Sequence, residues 1–285
     1  MLTQPLKWHG GKSYLAKKII ALMPPRCKNP NNPDPGDPGW LHYVEPYFGG
    51  GAVMLEQNPE GISEVANDIN YELINFWQVL RNESLFREFQ RLCETTPFAE
   101  AVWEQCTQWL GVEGQYASVR DAWAFFVHCR QSLAGRMDSF AAITRKRTRR
   151  GMNEQVSAWP NAIEGLPTVH MRLKRVLILN DNALTVIRNE DGPRTLFYLD
   201  PPYLHETRAT TGEYLYEMTY QQHRDLLEAL KGIEGRFMLS GYDSDLYRGY
   251  ANTVPRWNRH EFDLPNNAAG GKSKRRMVEC VWTNF

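Results

Sequence analysis

Short apolar runs alternate with longer amphipathic stretches along this chain, which is the pattern of an α/β protein. The runs Val176–Leu179 and Thr195–Leu199 are rich in β-branched or bulky apolar residues and predict buried strands. Residues 71–135 show helical spacing instead, and Phe126 and Val127 belong to a stripe that predicts a helical core face. Strands followed by helices predict a sheet with helices packed on it.

The amino-acid composition excludes several classes of protein. The 285 residues suffice for one α/β domain with a substantial insertion, and the net charge of zero gives no overall attraction to nucleic acid. Five scattered cysteines with no C-x-x-C pair argue against disulfides and against a metal site, and favour a reducing cytoplasm. No apolar run approaches the roughly 18 residues that a membrane span needs. We therefore expect a cytoplasmic protein without a membrane segment or a metal.

The most informative stretch is D-P-P-Y, Asp200 to Tyr203, directly after the predicted strand Thr195–Leu199. Two prolines cannot continue a strand ladder, because they lack a backbone N–H. Asp200 and the carbonyl of Pro201 could accept both hydrogens of one planar amino group, with the Tyr203 ring stacked on the group that carries it. Such acceptors stabilise charge that develops on the nitrogen when it attacks an electrophile. The alternative is a turn that only ends the strand.

A second group of residues predicts a nucleoside-type cofactor. Gly49, Gly50 and Gly51 form a turn between the short strand His42–Glu45 and a helix, so backbone can approach a ligand closely. Asp68 follows Gly51 by seventeen positions at the end of the next strand, where such folds bind ribose hydroxyls. Asp181 ends a further strand and could accept from an adenine amino group. The G-x-G-x-x-G spacing of a dehydrogenase is absent.

Near the start of the chain, Lys12 lies beside Trp8 in sequence and could meet the carboxylate and the apolar part of a small molecule.

Cations concentrate between residues 136 and 175 in a segment without a clear period. A charge run is often only a solvated surface, but five cations within six positions of a neutral protein also suit DNA phosphates. A second basic stretch lies near the end of the chain. The predicted DNA-binding residues are Arg130, Arg145, Lys146, Arg147, Arg149, Arg150, Lys272 and Lys274.

Taken in order, the motifs KWHGGK, EPYFGGGAV, NDIN, LNDN, DPPY, LSGYDSDLY and ECVWTN resemble the Dam-like adenine-specific DNA methyltransferases. The resemblance implies a Rossmann-like sheet that binds S-adenosylmethionine, with a mostly helical target-recognition domain at 76–169 inserted between catalytic segments 1–75 and 170–285. It places the target adenine against Asp200, Pro201, Pro202 and Tyr203. It assigns the cofactor to Trp8, Lys12, Glu45, Pro46, Phe48, Gly49, Gly50, Gly51, Asp68, Asp181 and Asp200.

The activity expected from this resemblance is methyl transfer to the exocyclic amine of an adenine flipped out of double-stranded DNA. A monomer in the cytoplasm of a bacterium or of a virus-infected bacterium is expected, with a cognate restriction endonuclease as a further candidate partner. Two alternatives stay open at this point: a methyltransferase acting on RNA or a protein amide, and a catalytically silent DNA-binding protein.

Overall fold

The structure is a computed structural model that describes residues 2, 4–8, 10–31, 36–37, 39–110, 117–141, 147–204, 217–265 and 276–285. The helices of this part of the chain are α1 (Ala16–Leu22), α2 (Ala52–Glu56), α3 (Tyr71–Arg81), α4 (Glu83–Thr95), α5 (Glu100–Trp109), α6 (Val119–Gln131), α7 (Glu154–Leu173), α8 (Ala183–Glu190), α9 (Tyr220–Gly232) and α10 (Asp245–Thr253). The strands are β1 (His42–Glu45), β2 (Ser63–Asn67), β3 (Thr148–Arg149), β4 (Met152–Asn153), β5 (Val176–Leu179), β6 (Thr195–Leu199), β7 (Arg236–Tyr242), β8 (Asn258–Pro265) and β9 (Arg276–Thr283).

The chain forms two compact units, each built from discontinuous segments. The first comprises Met1–Ala21, Phe48–Pro59 and Asn70–Asn180, and the second comprises Leu22–Tyr47, Glu60–Ile69 and Asp181–Phe285. This grouping differs from the domain boundaries predicted from the sequence, which remain a prediction.

The first unit is mainly helical and has an aromatic core. Phe126 of α6 stacks on Phe76 of α3, with ring centroids 5.7 Å apart, and Phe89 of α4 meets it edge-on. Phe126 and Val127 are fully buried, so the core face predicted from the helical spacing is confirmed. Helix α7 continues through Pro160 and Pro167, although each proline lacks the backbone N–H of a helical hydrogen bond.

The basic segment of this unit contains a β-hairpin. It was not predicted, because the hydrophobic and polar residues of the segment show no clear period. Strands β3 and β4 pair antiparallel, and Arg150 and Gly151 between them have φ angles of 55° and 75°. Positive φ at both central residues is the backbone of a type I′ turn, in which glycine is favoured. The expectation of a mostly helical segment therefore holds for α3 to α7 but not for this hairpin.

The second unit contains a mostly parallel sheet in which six strands follow the order β2-β1-β6-β7-β9-β8. Strands β2, β1, β6 and β7 are mutually parallel, whereas β9 is antiparallel to both β7 and β8. The carboxyl ends of the parallel strands share one edge of the sheet, where α/β proteins bind ligands. The predicted α/β, Rossmann-like fold is confirmed.

Candidate active site

The D-P-P-Y turn extends from the middle of the parallel sheet of the second unit. All five residues of β6 are buried, and the strand pairs with β1 on one side and with β7 on the other. Asp200 follows directly and is half-buried, and Pro201 behind it is buried. Because the two proline rings fix two successive φ angles, the carboxylate and the following carbonyl leave the sheet in a restricted geometry.

Tyr203 is held on three sides within this unit. Its hydroxyl lies 3.2 Å from Oδ1 of Asp200 and also contacts Oε1 of Glu279, and its ring meets the Tyr242 ring at 4.7 Å and 77°. The pKa of the Tyr203 phenol is raised well above its usual value, mainly by burial and in addition by the negative charges of Asp200 and Glu279. The phenol is therefore a proton donor at neutral pH. Its side chain is only 6% exposed, and its stacking on a base remains a prediction.

Two more predicted residues lie at the carboxyl end of β1. Glu45 is buried and accepts a hydrogen bond from the hydroxyl of Tyr43 at 2.8 Å. Burial and the neighbouring Glu45 raise the pKa of Tyr43, so this hydroxyl also stays protonated. Pro46 follows and presents its carbonyl to the next strand.

At the end of β2, Asn67 connects three segments that carry predicted site residues. Its Nδ2 donates to the carbonyls of Pro46 and Asp181, at 2.9 and 3.0 Å, and its Oδ1 accepts from the backbone N–H of Asp181 at 2.9 Å. The side chain is fully buried. Sequence reasoning singled out the next residue, Asp68, and missed Asn67, although both belong to the same N-D-I-N motif.

Polar and apolar groups lie side by side just beyond β2. Asp68 is half-buried and Ile69 is 50% exposed, while Asp181 is exposed and its Oδ1 accepts from the backbone N–H of Asn182. An exposed apolar side chain directly after a carboxylate suits a ligand with a flat apolar face and hydrogen-bond donors at its rim.

The glycine turn belongs to the first unit and lies against Trp8. Gly49 and Gly51 have φ angles of 49° and 67°, and the turn is closed by a hydrogen bond from Gly51 N to Phe48 O at 2.8 Å. A Cβ on Gly49 would lie 2.7 Å from the indole nitrogen of Trp8, and a Cβ on Gly50 would lie 2.7 Å from its Cβ. Only glycine fits at these two positions without a shift of the tryptophan.

Lys12 belongs to the same unit as the glycine turn. The residue is buried, and its Nζ donates to the carbonyl of Gly10 at 2.9 Å. The amine is thus oriented by backbone rather than exposed on a flexible stem.

The predicted DNA-binding cations fall into three groups. Arg147, Arg149 and Arg150 are exposed on or beside the hairpin, and two of them lie near carboxylates, with Arg147 3.9 Å from Glu154 and Arg150 3.4 Å from Glu164. Arg130 is half-buried, and its guanidinium donates to the carbonyl of Ala158 at 3.0 Å. The remaining four, Arg145, Lys146, Lys272 and Lys274, lie outside the described residues.

Two kinds of feature are absent from the described residues. No cluster of three or more histidine, cysteine, aspartate or glutamate side chains there could hold a metal ion. No helix in the same residues is long and apolar enough to cross a membrane.

A parallel sheet with acids at its carboxyl edge and D-P-P-Y after a central strand is the arrangement that the resemblance to adenine-specific DNA methyltransferases implies. The family model of the D12 class N6 adenine-specific DNA methyltransferases matches residues 8–261, and the chain belongs to this family. The Type II methyltransferase M1.LlaDCHI of Lactococcus lactis subsp. cremoris is 25% identical over 98% of this chain and 94% of its own length. The Type II methyltransferase M.MjaIII of Methanocaldococcus jannaschii is 34% identical over 27% of this chain and 25% of its own length.

Family membership decides between the alternatives that the sequence left open. The protein is an adenine-specific DNA methyltransferase, so DNA rather than RNA or a protein amide is its substrate, and it is an enzyme rather than a silent binder.

Proposed function

We propose that this enzyme takes its methyl group from S-adenosylmethionine and transfers it directly to N6 of an adenine extruded from double-stranded DNA. The observation that carries the proposal is the half-buried Asp200 at the end of the buried strand β6, followed by two prolines. The cofactor would supply an electrophilic methyl group on its sulfonium.

Asp200 and the carbonyl of Pro201 accept the two hydrogens of the adenine amine. The nitrogen lone pair of an aromatic amine is delocalised into the ring, so the amine is a poor nucleophile. Two acceptors held by the D-P-P geometry localise that lone pair and stabilise the positive charge that forms on the nitrogen as it attacks. Holding amine and methyl group in line supplies much of the remaining acceleration. No cysteine takes part, and all five are buried thiols.

Tyr203 provides the aromatic surface of this motif. Extrusion of one adenine costs a few kcal/mol, which stacking against protein side chains offsets in part. The Tyr203 ring meets the Tyr242 ring at nearly a right angle, and we propose that the adenine stacks against this aromatic pair.

The residues predicted to hold the cofactor fit its chemistry. Glu45, Asp68 and Asp181 offer carboxylates for hydroxyl and amino donors, and the exposed Ile69 offers an apolar surface for the adenine ring of the cofactor. At Gly49 and Gly50 the place of a Cβ is blocked by Trp8, and at Gly51 by Phe48, so the glycine turn packs closely on two of the residues predicted to contact the cofactor. Within the first unit, Lys12 and Trp8 suit the carboxylate and the apolar stem of the methionine part. The set comprises Trp8, Lys12, Glu45, Pro46, Phe48, Gly49, Gly50, Gly51, Asp68, Asp181 and Asp200.

The exposed arginines of the hairpin supply contacts to the DNA backbone. Arginine forms bidentate hydrogen bonds with phosphate and, in the major groove, with guanine. We also propose that the enzyme works as a monomer in the cytoplasm, and that a restriction endonuclease of the same specificity is a partner, as the Type II names of its relatives suggest.

The test is transfer of labelled methyl from S-adenosylmethionine to unmethylated duplex DNA, followed by nucleoside analysis. We expect label in N6-methyladenine at a short recurring sequence. Asp200→Ala should lower the rate by at least about 100-fold, by analogy with the loss of one charge-stabilising group from an active site. The matched control is Asp225→Ala, which removes an exposed carboxylate of α9 in the same unit. Near-normal transfer by Asp200→Ala would refute the role of this carboxylate.

A further inference from the structure

Glu279 is a buried carboxylate that the mechanism above does not use. It lies near the start of β9, opposite Tyr242 of β7 and Phe262 of β8, and only 3% of its surface is exposed. Burying a carboxylate is costly unless hydrogen bonds compensate it. One of its partners is the hydroxyl of Tyr203, a residue of the D-P-P-Y motif.

That hydroxyl has one hydrogen and two carboxylates within reach. It lies 3.2 Å from Oδ1 of Asp200, and it also contacts Oε1 of Glu279. Burial raises the pKa of Tyr203, so the hydrogen stays on the phenol. Because one hydroxyl hydrogen points in one direction at a time, the two carboxylates compete for it. The packing of the ring against Tyr242 keeps both acceptors in place relative to it.

We propose that Glu279 is a positioning residue that draws the phenol hydrogen of Tyr203 to itself and thereby keeps the Asp200 carboxylate directed at the adenine amine. The inference rests on the proposed role of Asp200. A hydrogen bond from the phenol to Asp200 would disperse the negative charge that polarises the amine, and would occupy an acceptor that the amine needs. Glu279 therefore sets the reactivity of the motif from a strand 76 residues further along the chain.

Replacement of the Glu279 carboxylate by an apolar group of similar shape tests whether Glu279 holds the phenol hydrogen of Tyr203. In Glu279→Met the phenol hydrogen has Asp200 as its remaining carboxylate acceptor, and Met fills the space without an oxygen. We expect kcat to fall about 10- to 100-fold, the range for a hydrogen bond to a charged group, while KM for S-adenosylmethionine changes less than about twofold. Glu279→Gln keeps an acceptor oxygen at the same position and should retain kcat within about threefold.

A double-mutant cycle with Tyr203→Phe distinguishes this role from packing. If Glu279 acts by capturing the phenol hydrogen, its replacement by Met should cost less than about threefold when measured in a Tyr203→Phe background. A purely structural role predicts the same loss of kcat in both backgrounds, and that result would overturn the proposal. An undiminished kcat in Glu279→Met would overturn it as well.

A second variant keeps the test valid if the Met variant does not fold. Glu279→Asp preserves the buried charge but withdraws the oxygens from the phenol by one methylene, so it should lose kcat as the Met variant does. Activity equal to that of the wild type in Glu279→Asp would refute the proposal.

Parallel assays of the wild-type enzyme and Asp200→Ala distinguish a failure of the proposed role of Glu279 from a failure of the proposed role of Asp200. If the wild type methylates adenine, Asp200→Ala does not, and the cycle shows no coupling, then only the role of Glu279 fails. If Asp200→Ala is as active as the wild type, both fail.

Discussion

Replacement of Gly49 by alanine tests the close packing of the glycine turn against Trp8. Gly49 has a φ of 49°, and an added Cβ would lie 2.7 Å from Nε1 and 3.0 Å from Cδ1 of the indole. Its carbonyl accepts a hydrogen bond from Nε1 of Trp77 at 3.1 Å, which restrains the turn on its other side. Gly49→Ala must therefore adopt a left-handed backbone and also displace a tryptophan.

The two costs can be estimated separately. A left-handed conformation costs a non-glycine residue about 1–2 kcal/mol. Overpacking a filled site costs a further ~1–3 kcal/mol. Gly151 in the hairpin turn is the matched control, because its φ is 75° and no atom lies within 4 Å of an added Cβ. Gly151→Ala should lose only the first amount, about 1–2 kcal/mol, whereas Gly49→Ala should lose about 2–5 kcal/mol.

Urea unfolding followed by tryptophan fluorescence measures both variants, and isothermal titration with S-adenosylmethionine measures the consequence for binding. We expect Gly49→Ala to weaken cofactor affinity and Gly151→Ala to leave it unchanged. Equal losses of unfolding free energy in the two variants would refute the contact with Trp8. In a Trp8→Ala background the loss should fall to the backbone cost of about 1–2 kcal/mol, and an undiminished loss there would refute the contact independently.

Asn67→Ala should lower stability by about 2–4 kcal/mol and weaken cofactor binding, since it removes the side-chain partner of a buried carbonyl of Pro46 and of two part-buried backbone groups of Asp181; denaturation and titration calorimetry check this, and an unchanged affinity would contradict it. Burial, with Arg130 nearby, lowers the pKa of Lys7 from 10.5 to about 8. Between these values the unfolded chain binds a proton that the folded chain does not, so stability should rise with pH relative to Lys7→Met; parallel denaturation curves from pH 7.5 to 10 measure the difference. Three exposed arginines of the basic segment, Arg147, Arg149 and Arg150, can be replaced together by glutamine. The slope of the logarithm of the DNA-binding constant against the logarithm of the salt concentration should then become shallower by roughly 0.9 per lost phosphate contact, and an unchanged slope would contradict their role.

The sequence was most informative where local chemistry decides local structure. The predicted strands Val176–Leu179 and Thr195–Leu199 are confirmed as β5 and β6, because apolar runs bounded by turn residues have few alternatives. Thr219 caps α9 through the capping box with Gln222, a local arrangement that depends on residues only three positions apart.

Sequence reasoning failed where distant partners decide the outcome. The hydrogen bonds of Asn67 reach residues 21 and 114 positions away, and no local pattern encodes them. Helix α7 likewise continues past Pro160, and beside that proline Trp159 is buried and donates to the carbonyl of Thr96 at 2.8 Å. Tertiary packing here outweighs the loss of one helical hydrogen bond at a proline. The hairpin did leave a local signal, the Arg150-Gly151 pair, but the surrounding charges have no period that would reveal two strands.

The antiparallel strand β9 explains how a residue so late in the chain can act on the D-P-P-Y motif. In a parallel sheet the start of each strand lies at the edge opposite to the ligand. Because β9 runs antiparallel to β7, the early residue Glu279 instead pairs with Tyr242 at the carboxyl end of β7. The next parallel neighbour, β6, delivers Asp200 and Tyr203 to the same edge. Parallel strands bring only their last residues to this edge of the sheet. The antiparallel direction of β9 adds the buried carboxylate of Glu279 there, and the proposed effect of Glu279 on Asp200 depends on that placement.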